Sequence, residues 1–436
     1  MLRLKYAYSL LLSCLLFCLW MTGCASTPAP KWTPLDTSSI DGPLSLTKCL
    51  ELAKKNDIRA VQWKARLEAA HAGLSQSRAI PNPAAGISWE DIGLKDDAGE
   101  SISSVTYGVS YPIFFWWPRA AKIKAAKINQ LAEEAAVKAE QQQLEIEVAS
   151  AYFNLVADQR KAALTEDIAK SYSELLRLAQ KQNQLNDISG FSLDQIKLEK
   201  LKAESDFKNA QNTLRADQIS FAFALGADRP FYPAVVDCED RYLHPEGISA
   251  ENENLTDEAL NAAVQKDPDY MVKQLAADYA AAKLHIEKLN AIPFVDAAGS
   301  ASQKDSPEGD SSAYSLEIPI PLFNWNKAGI QSAYADLLNA RADEEKARRD
   351  AIAGITTKWE SYRALAWKWE QYARGSSNLA EKNSKTAARL YDMGRISYSE
   401  LLQSERGDKT TQMEAVDDWR DLCTASWIVS CVLGKQ

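Results

Sequence analysis

The 436-residue sequence is poor in the residues that carry chemistry. Its three histidines, His71, His244 and His285, lie far apart, and neither H-E-x-x-H nor C-x-x-C occurs. Imidazole catalysis and a zinc or dithiol centre therefore have no support, and no phosphate loop or nucleophile–base pattern replaces them. Positive charge is also in deficit. Lys+Arg 50 against Asp+Glu 59 gives −9, and −11 without the first 23 residues, which hold Arg3 and Lys5. Nucleic-acid affinity rests on neutralised phosphates, so no nucleic-acid partner is expected. Beyond residue 23 no run of about 18 apolar residues occurs, so strands are the remaining route into a bilayer. Proline is absent from Arg119–Gln184 and Lys327–Met393, and neither stretch has a glycine cluster. Each reads as one helix of about 100 Å at 1.5 Å per residue.

What is present begins with an address. Residues 1–23 carry a basic start, an apolar run from Leu10 to Trp20, and small residues before Cys24, the pattern of a cleaved secretory signal. Met21-Thr22-Gly23-Cys24 looks like a bacterial lipobox, in which the Cys24 thiol receives a diacylglycerol. Ala25 follows in place of the Asp of an inner-membrane retention signal, which implies an outer-membrane, lipid-anchored destination. Residues 24–43, rich in Ser, Thr and Pro, read as a lipidated extended linker. Cys423 and Cys431 are eight apart on one predicted helix, about 12 Å along its axis and too far to bridge. Pairing among Cys49, Cys238 and Cys431 stays open beside free buried thiols.

The remainder is a doubled unit. Leu46-Thr47 answers Leu255-Thr256, Arg78-Ala79-Ile80-Pro81 is echoed by Asn290-Ala291-Ile292-Pro293, and Pro112-Ile113 matches Pro319-Ile320. Ile123 pairs with Ile330, Ile188-Ser189 with Ile396-Ser397, and Leu225-Gly226 with Leu433-Gly434. The first repeat, 44–233, reads as a helix over Leu46–Ile80, a β-hairpin over 84–113, a long helix over 119–184 and a helix over 193–225. An acidic, Pro- and Tyr-bearing connector spans 227–254. The second repeat, 255–436, has its helix, a hairpin over 294–320, a long helix over 327–393 and a helix over 397–433. In each half the two shorter helices, about 36 residues each, match the length of the long one when stacked end to end. Leu144, Val148, Ala151, Leu155 and Ala162 follow a coiled-coil seam.

The hairpins carry the membrane argument. Val105, Tyr107, Val109 and Tyr111 alternate with Thr106, Gly108 and Ser110, and Tyr314, Leu316, Ile318 and Ile320 oppose Ser315 and Glu317. Four strands of about 9–11 residues are long enough to cross a bilayer but too few to close a barrel; three copies supply twelve. Phe114, Phe115, Trp116 and Trp117, with Phe323 and Trp325 at the same place in the second half, form a candidate aromatic girdle. The expected fold is mainly α with a small membrane β-barrel: a homotrimer with four strands per protomer, a long helical tunnel and internal duplication.

These residues resemble the TolC-like outer-membrane factor family over nearly the whole mature chain. The carriers are Arg78-Ala79-Ile80-Pro81-Asn82-Pro83, Ile318-Pro319-Ile320-Pro321-Leu322-Phe323 with Gly329-Ile330, and Tyr391-Asp392-Met393-Gly394-Arg395-Ile396-Ser397. The segment Asn186–Asp194 is similar to the turn of the CzcC-like branch, associated with export of divalent heavy-metal cations, although Asn186 stands where that branch has Gly. The resemblance implies a passive outer-membrane exit duct of a tripartite efflux system. Its partners would be a periplasmic adaptor, an inner-membrane pump of resistance-nodulation-division type, and outer-membrane lipid; no enzyme activity, cofactor or resident metal is implied. The turns Asn186–Ser192 and Met393–Tyr398 become the periplasmic tips.

By the same resemblance, Asp187, Asp194, Tyr391, Arg395 and Glu400 are tip or gate candidates, and Ile188, Ser189, Gly190, Gly394, Ile396 and Ser397 dock the adaptor. Gln403 occupies the position of a second gate acid, which departs from a two-ring acidic gate. Rings of Glu400 and Asp194 would favour cations; the same acids, with Ser189, Ser192 and Ser397, can instead cap helix N-termini. A lipid-anchored periplasmic coiled-coil tether or adaptor is the alternative function. It accounts for the helices and the lipid and leaves the hairpins unexplained.

Overall fold

The computed structural model describes residues 31–40, 42–90, 104–113, 116–185, 188–238, 241–244, 255–292, 295–304, 311–318 and 320–434. Cys24, Phe114, Phe115 and Asp187 lie outside them, as do the side chain of Trp116 and part of the connector. Pro34–Gln436 forms one compact unit.

Helices flank one hairpin in each half. The first half runs α1 (Leu46–Asn56), α2 (Arg59–Arg78), β1 (Ala84–Glu90), β2 (Ser104–Pro112), α3 (Trp116–Gln184) and α4 (Gly190–Ala224). The second runs α5 (Asp257–Lys266), α6 (Pro268–Leu289), β3 (Asp296–Lys304), β4 (Ser311–Glu317), α7 (Lys327–Lys368), a π-helical turn (Trp369–Ala373), α8 (Arg374–Asp392) and α9 (Tyr398–Leu433). Both α2 and α4 pack along α3, while α6 and α9 both touch α7, and α3 also meets α6 and α9. This is the end-to-end stacking that the helix lengths require.

Three expected helices are interrupted. The helix expected over Leu46–Ile80 breaks at Asp57, whose carboxylate accepts the Arg59 N–H at 2.7 Å and so offers the backbone an alternative to the helical bond. Gly226 passes close to the break in the left-handed region (φ 87°), and a Cβ there would overlap the Asn56 carbonyl. At the matching place in the second half, Asp267 ends α5 and caps α6, accepting from Tyr270 N at 2.9 Å with Pro268 in the first turn. The helix expected over Lys327–Met393 is interrupted by the π-turn.

The main core sits at mid-length, where α1, α3, the end of α4, the connector, α7 and α9 meet. Phe153 packs edge-on to Tyr152 (5.9 Å) and Trp419 (6.3 Å), and the Arg160 guanidinium lies 3.9 Å from the Trp419 ring while bonding Asp237 at 2.5 and 2.9 Å. Residues ahead of α1 are strapped to this belt: Leu35 N–H donates to the Gly226 carbonyl at 2.9 Å, and Leu44 bridges Val235 in parallel. Cys49, Cys423 and Cys431 are buried thiols and Cys238 is half-buried, so no disulfide forms among the described residues.

Candidate functional site: sheet faces and helix turns

The four strands form one antiparallel meander in the order β1-β2-β3-β4. Val105 pairs with Trp89 and Gln303, Tyr107 with Ile87 and Ala301, and Val109 with Ala85 and Gly299, which in turn faces Tyr314. Directly paired residues share a face, so Ile87, Trp89, Tyr107, Val109, Tyr314 and Leu316 lie on one side. Gly86, Ser88, Thr106, Gly108, Ser110, Ser300 and Ser302 lie on the other. The Tyr314 ring covers Gly299, 3.4 Å from where a Cβ would stand. On the opposite face the Thr106 and Ser302 hydroxyls are 2.9 Å apart.

The apolar face is bare: Tyr314 is 90% exposed, and every residue of β4 is exposed. Among the described residues, strands β1 and β4 each have an unpaired edge. An apolar sheet face with open edges is stable only against lipid and further strands. At the strand-to-helix junctions Trp117 is 51%, Trp325 57% and Phe323 98% exposed. Asn326 opens α7 in the left-handed region (φ 55°), its amide donating to the Glu287 carbonyl at 2.9 Å and carboxylate at 2.7 Å. A side chain at Gly329 would collide with both partners, the physical reason for the Gly329-Ile330 pair.

At the opposite ends of the long helices are two tight turns. In the first, Asn183 donates to the Ile188 carbonyl at 3.0 Å and Ser189 caps α4, accepting from Ser192 N at 3.1 Å. Asp194 is not the cap; it pairs with Lys197 at 2.9 Å. In the second, Gly394 (φ 68°) donates to Tyr391 O at 2.8 Å and Arg395 N to Leu390 O at 2.9 Å, the paired bonds of a Schellman motif. Ser397 then caps α9 in a capping box: Glu400 accepts from Ser397 N at 2.7 Å and Ser397 Oγ accepts from Glu400 N at 3.4 Å. These bonds hold the Glu400 carboxyl below its ordinary range. Tyr391 meets the Tyr398 ring edge-on at 5.9 Å and reaches Gln182 of α3 at 3.5 Å, so the two turns lie side by side. Arg395 and Met393 are exposed and Ile396 is half-buried.

Between the turns and the core the helices enclose charges that the sequence did not single out. Arg406 of α9 forms a two-pronged ion pair with the nearly buried Glu199 of α4. Lys409 Nζ sits 4.2 Å from the Tyr172 ring centroid with no hydrogen bond, and burial lowers its pKa. Nearby, Asp158 of α3 lies beside the Asp217 carboxyl of α4, and burial first, then that neighbour, pushes Asp158 up to about 7. A groove of about 580 Å³ runs past Asp158, Tyr172, Glu199, Arg406 and Lys409. Their partners are too distant in sequence to be paired by spacing. Among the described residues no three metal-ligating side chains converge.

A bare amphipathic sheet on a stack of paired long helices defines one subunit of an outer-membrane channel. The chain belongs to the outer membrane efflux protein family, which matches residues 50–227 and 259–434, one span per repeat. It is 20% identical to the cobalt-zinc-cadmium resistance protein CzcC of Cupriavidus metallidurans over 383 residues, 87% of this chain and 88% of that one. It is 22% identical to the toluene efflux pump outer membrane protein TtgC of Pseudomonas putida over 330 residues, 72% of this chain and 65% of that one. The solved structure of CusC, 18% identical, superposes with a TM-score of 0.76 over 94% of this chain and 100% of that one. The protein is thus an outer-membrane efflux channel component with a large periplasmic portion, and its family and fold are those of channels and not of enzymes. The tether alternative falls with the same findings.

Proposed function

We propose that three copies close one twelve-stranded barrel and continue below it as a helical duct that passes divalent heavy-metal cations outward. The observation that carries this is the sheet, whose apolar face and open edges are satisfied together only by lipid and by strands from other copies. Trp117, Phe323 and Trp325, with Phe114, Phe115 and Trp116, form the girdle. Cys24 carries the lipid. The cargo reading is supported by the acidic charge of the mature chain and by the likeness to CzcC over most of both chains. Cations are delivered by a periplasmic adaptor and an inner-membrane pump of resistance-nodulation-division type, docking on the turns at Ile188, Ser189 and Gly190 and at Gly394, Ile396 and Ser397.

The gate candidates Asp187, Asp194, Tyr391, Arg395 and Glu400 ring the narrow end in this arrangement. Glu400 shapes the turn through its capping box and faces the pore as part of it. Single-channel recording of Glu400→Ala is expected to show altered conductance and weaker cation preference; values equal to wild type would remove Glu400 from the gate. For cargo, deletion in the native host is expected to sensitise cells to cobalt, zinc or cadmium with little change for organic solvents. Sensitisation to solvents alone would assign the duct to organic cargo instead.

A further inference from the structure

The opening of α3 carries a run of positive charge in an acidic chain. Arg119, Lys122, Lys124 and Lys127 follow Trp117-Pro118, and no Asp or Glu appears before Glu133. Lys122, Lys124 and Lys127 are exposed, with Ala125 buried between them. Among the described residues the ion pairs of α3 begin only at Glu133, which meets Arg66, so the four cations ahead of it have no acidic partner. Arg119 donates to the Arg78 carbonyl at the end of α2, and its Nε is buried without a hydrogen bond. The Arg78 side chain is itself exposed.

This clustering opposes local preference. The amino end of a helix is the positive end of its dipole and disfavours cations, and the first turn of α3 holds no acid to offset them. Nor does the architecture common to both halves demand it. Between Trp325 and Asp336, at the matching place in the second repeat, Lys327 is the single cation. The position of the run supplies a reason. At 1.5 Å per residue, Lys122, Lys124 and Lys127 lie about 8, 10 and 15 Å along the helix from Trp117, a residue of the exposed aromatic band. A headgroup layer is about 5–8 Å thick. Lysine stems reach upward along an apolar surface to place their ammonium groups in such a layer, and fields there extend about 8 Å at physiological salt.

We propose that Arg78, Arg119, Lys122, Lys124 and Lys127 form a docking patch for anionic phospholipid headgroups of the leaflet that faces the helices. The inference rests on the channel reading, which puts the sheet in the bilayer and the head of α3 at its surface. Phosphates supply the negative charge that the chain withholds from this stretch, and the patch sets the depth at which the sheet stands. The second repeat contributes aromatic side chains to the same level and little charge.

Lipid selection by the full-length lipidated protein tests the patch. The detergent-extracted protein is given equal amounts of phosphatidylglycerol and phosphatidylcholine, and the retained lipids are counted by native mass spectrometry. Wild type is expected to favour phosphatidylglycerol on the order of tenfold, one cation at a surface being worth about fivefold, and to lose the preference in high salt. Lys122→Gln with Lys124→Gln and Lys127→Gln is expected to abolish it. Lys181→Gln with Lys202→Gln and Lys208→Gln removes the same charge from exposed positions at the other end of the bundle and is expected to leave it intact. Absence of preference in wild type, a preference unmoved by the first variant, or an equal fall in both variants overturns the patch. Wild type that retains neither lipid has no lipid-facing surface; the channel reading itself then fails, and the patch with it.

Lysine acetylation checks the same face without substitutions. Lys122, Lys124 and Lys127 are expected to react in lipid-free detergent and in phosphatidylcholine vesicles, and to be protected in phosphatidylglycerol vesicles. Protection already in detergent means that a second copy covers the face, and equal protection in both vesicles means burial without charge recognition; either overturns the proposal.

Discussion

The two halves share a chain path and differ in how they hold it. The first carries one unbroken helix from sheet to tip and ends in a turn capped by Ser189 alone. The second interrupts its helix at the π-turn and closes its tip with a Schellman glycine and a capping box. At the offset of 208, Trp419 stands where the first half has Gln211, and at the 207 of the Ile123–Ile330 pair Ala366 stands where it has Gln159. Duplication fixed the helix lengths, because both halves must span the same distance. The side chains at the core and the tip were then free to take on different work.

The largest expected effect tests the unequal core. Trp419→Ala is expected to cost about 3–5 kcal/mol per protomer, whereas Gln211→Ala stays within about 0.5 kcal/mol, read as thermal midpoints in detergent; equal losses would erase the distinction. Next come the sheet faces, in which the halves are expected to act alike. Val109→Arg and Leu316→Arg are each expected to cost about 2–4 kcal/mol per copy if they lie at bilayer depth and to reduce assembled protein in the membrane. Ser300→Arg on the small-residue face is expected to keep assembly and lower conductance.

At the tip, Ser397→Ala is expected to cost about 1 kcal/mol, and acidification separates the two turns. The folded Glu400 carboxyl lies below its ordinary 4.5, so its contribution is full above that value and is lost as pH falls through the lowered one. Hydrogen exchange at the second turn is expected to speed up at low pH, with little change at the Ser189 turn. The smallest effect concerns Asp158. Its folded pKa is raised to about 7, so the fold holds its proton more tightly than the unfolded chain does, and stability declines as pH rises from about 4 to about 7. Asp158→Asn is expected to raise the unfolding midpoint at pH 8 and to leave it unchanged near pH 4.

Much of this was legible because it is periodic. Alternation in Val105–Tyr111 gave the sheet its two faces, and freedom from proline gave α3 its length. Ser397, three residues ahead of Glu400, gave a capping box its spacing. The break at Asp57 combines a local cap on Arg59 N–H with the close passage of Gly226, which is tertiary and shows in no local pattern. The matching break at Asp267-Pro268 carries a local signal, a capping Asp before Pro, that the continuous-helix reading passed over. The offset between the halves moves from 207 at Ile123 and Ile330 to 208 at Ile188 and Ile396, but a one-residue insertion in a helix shows in no local pattern. The Glu199–Arg406 pair joins helices 207 residues apart, and no local rule couples them.

The central claim is that this chain is one third of a hollow duct. Electron microscopy of the detergent-extracted, lipidated protein tests it directly. The account predicts three-fold particles with an open axis, a twelve-stranded barrel at one end and paired helices on the order of 100 Å long below it. Solid rods, or monomers with an unclosed sheet, would contradict it.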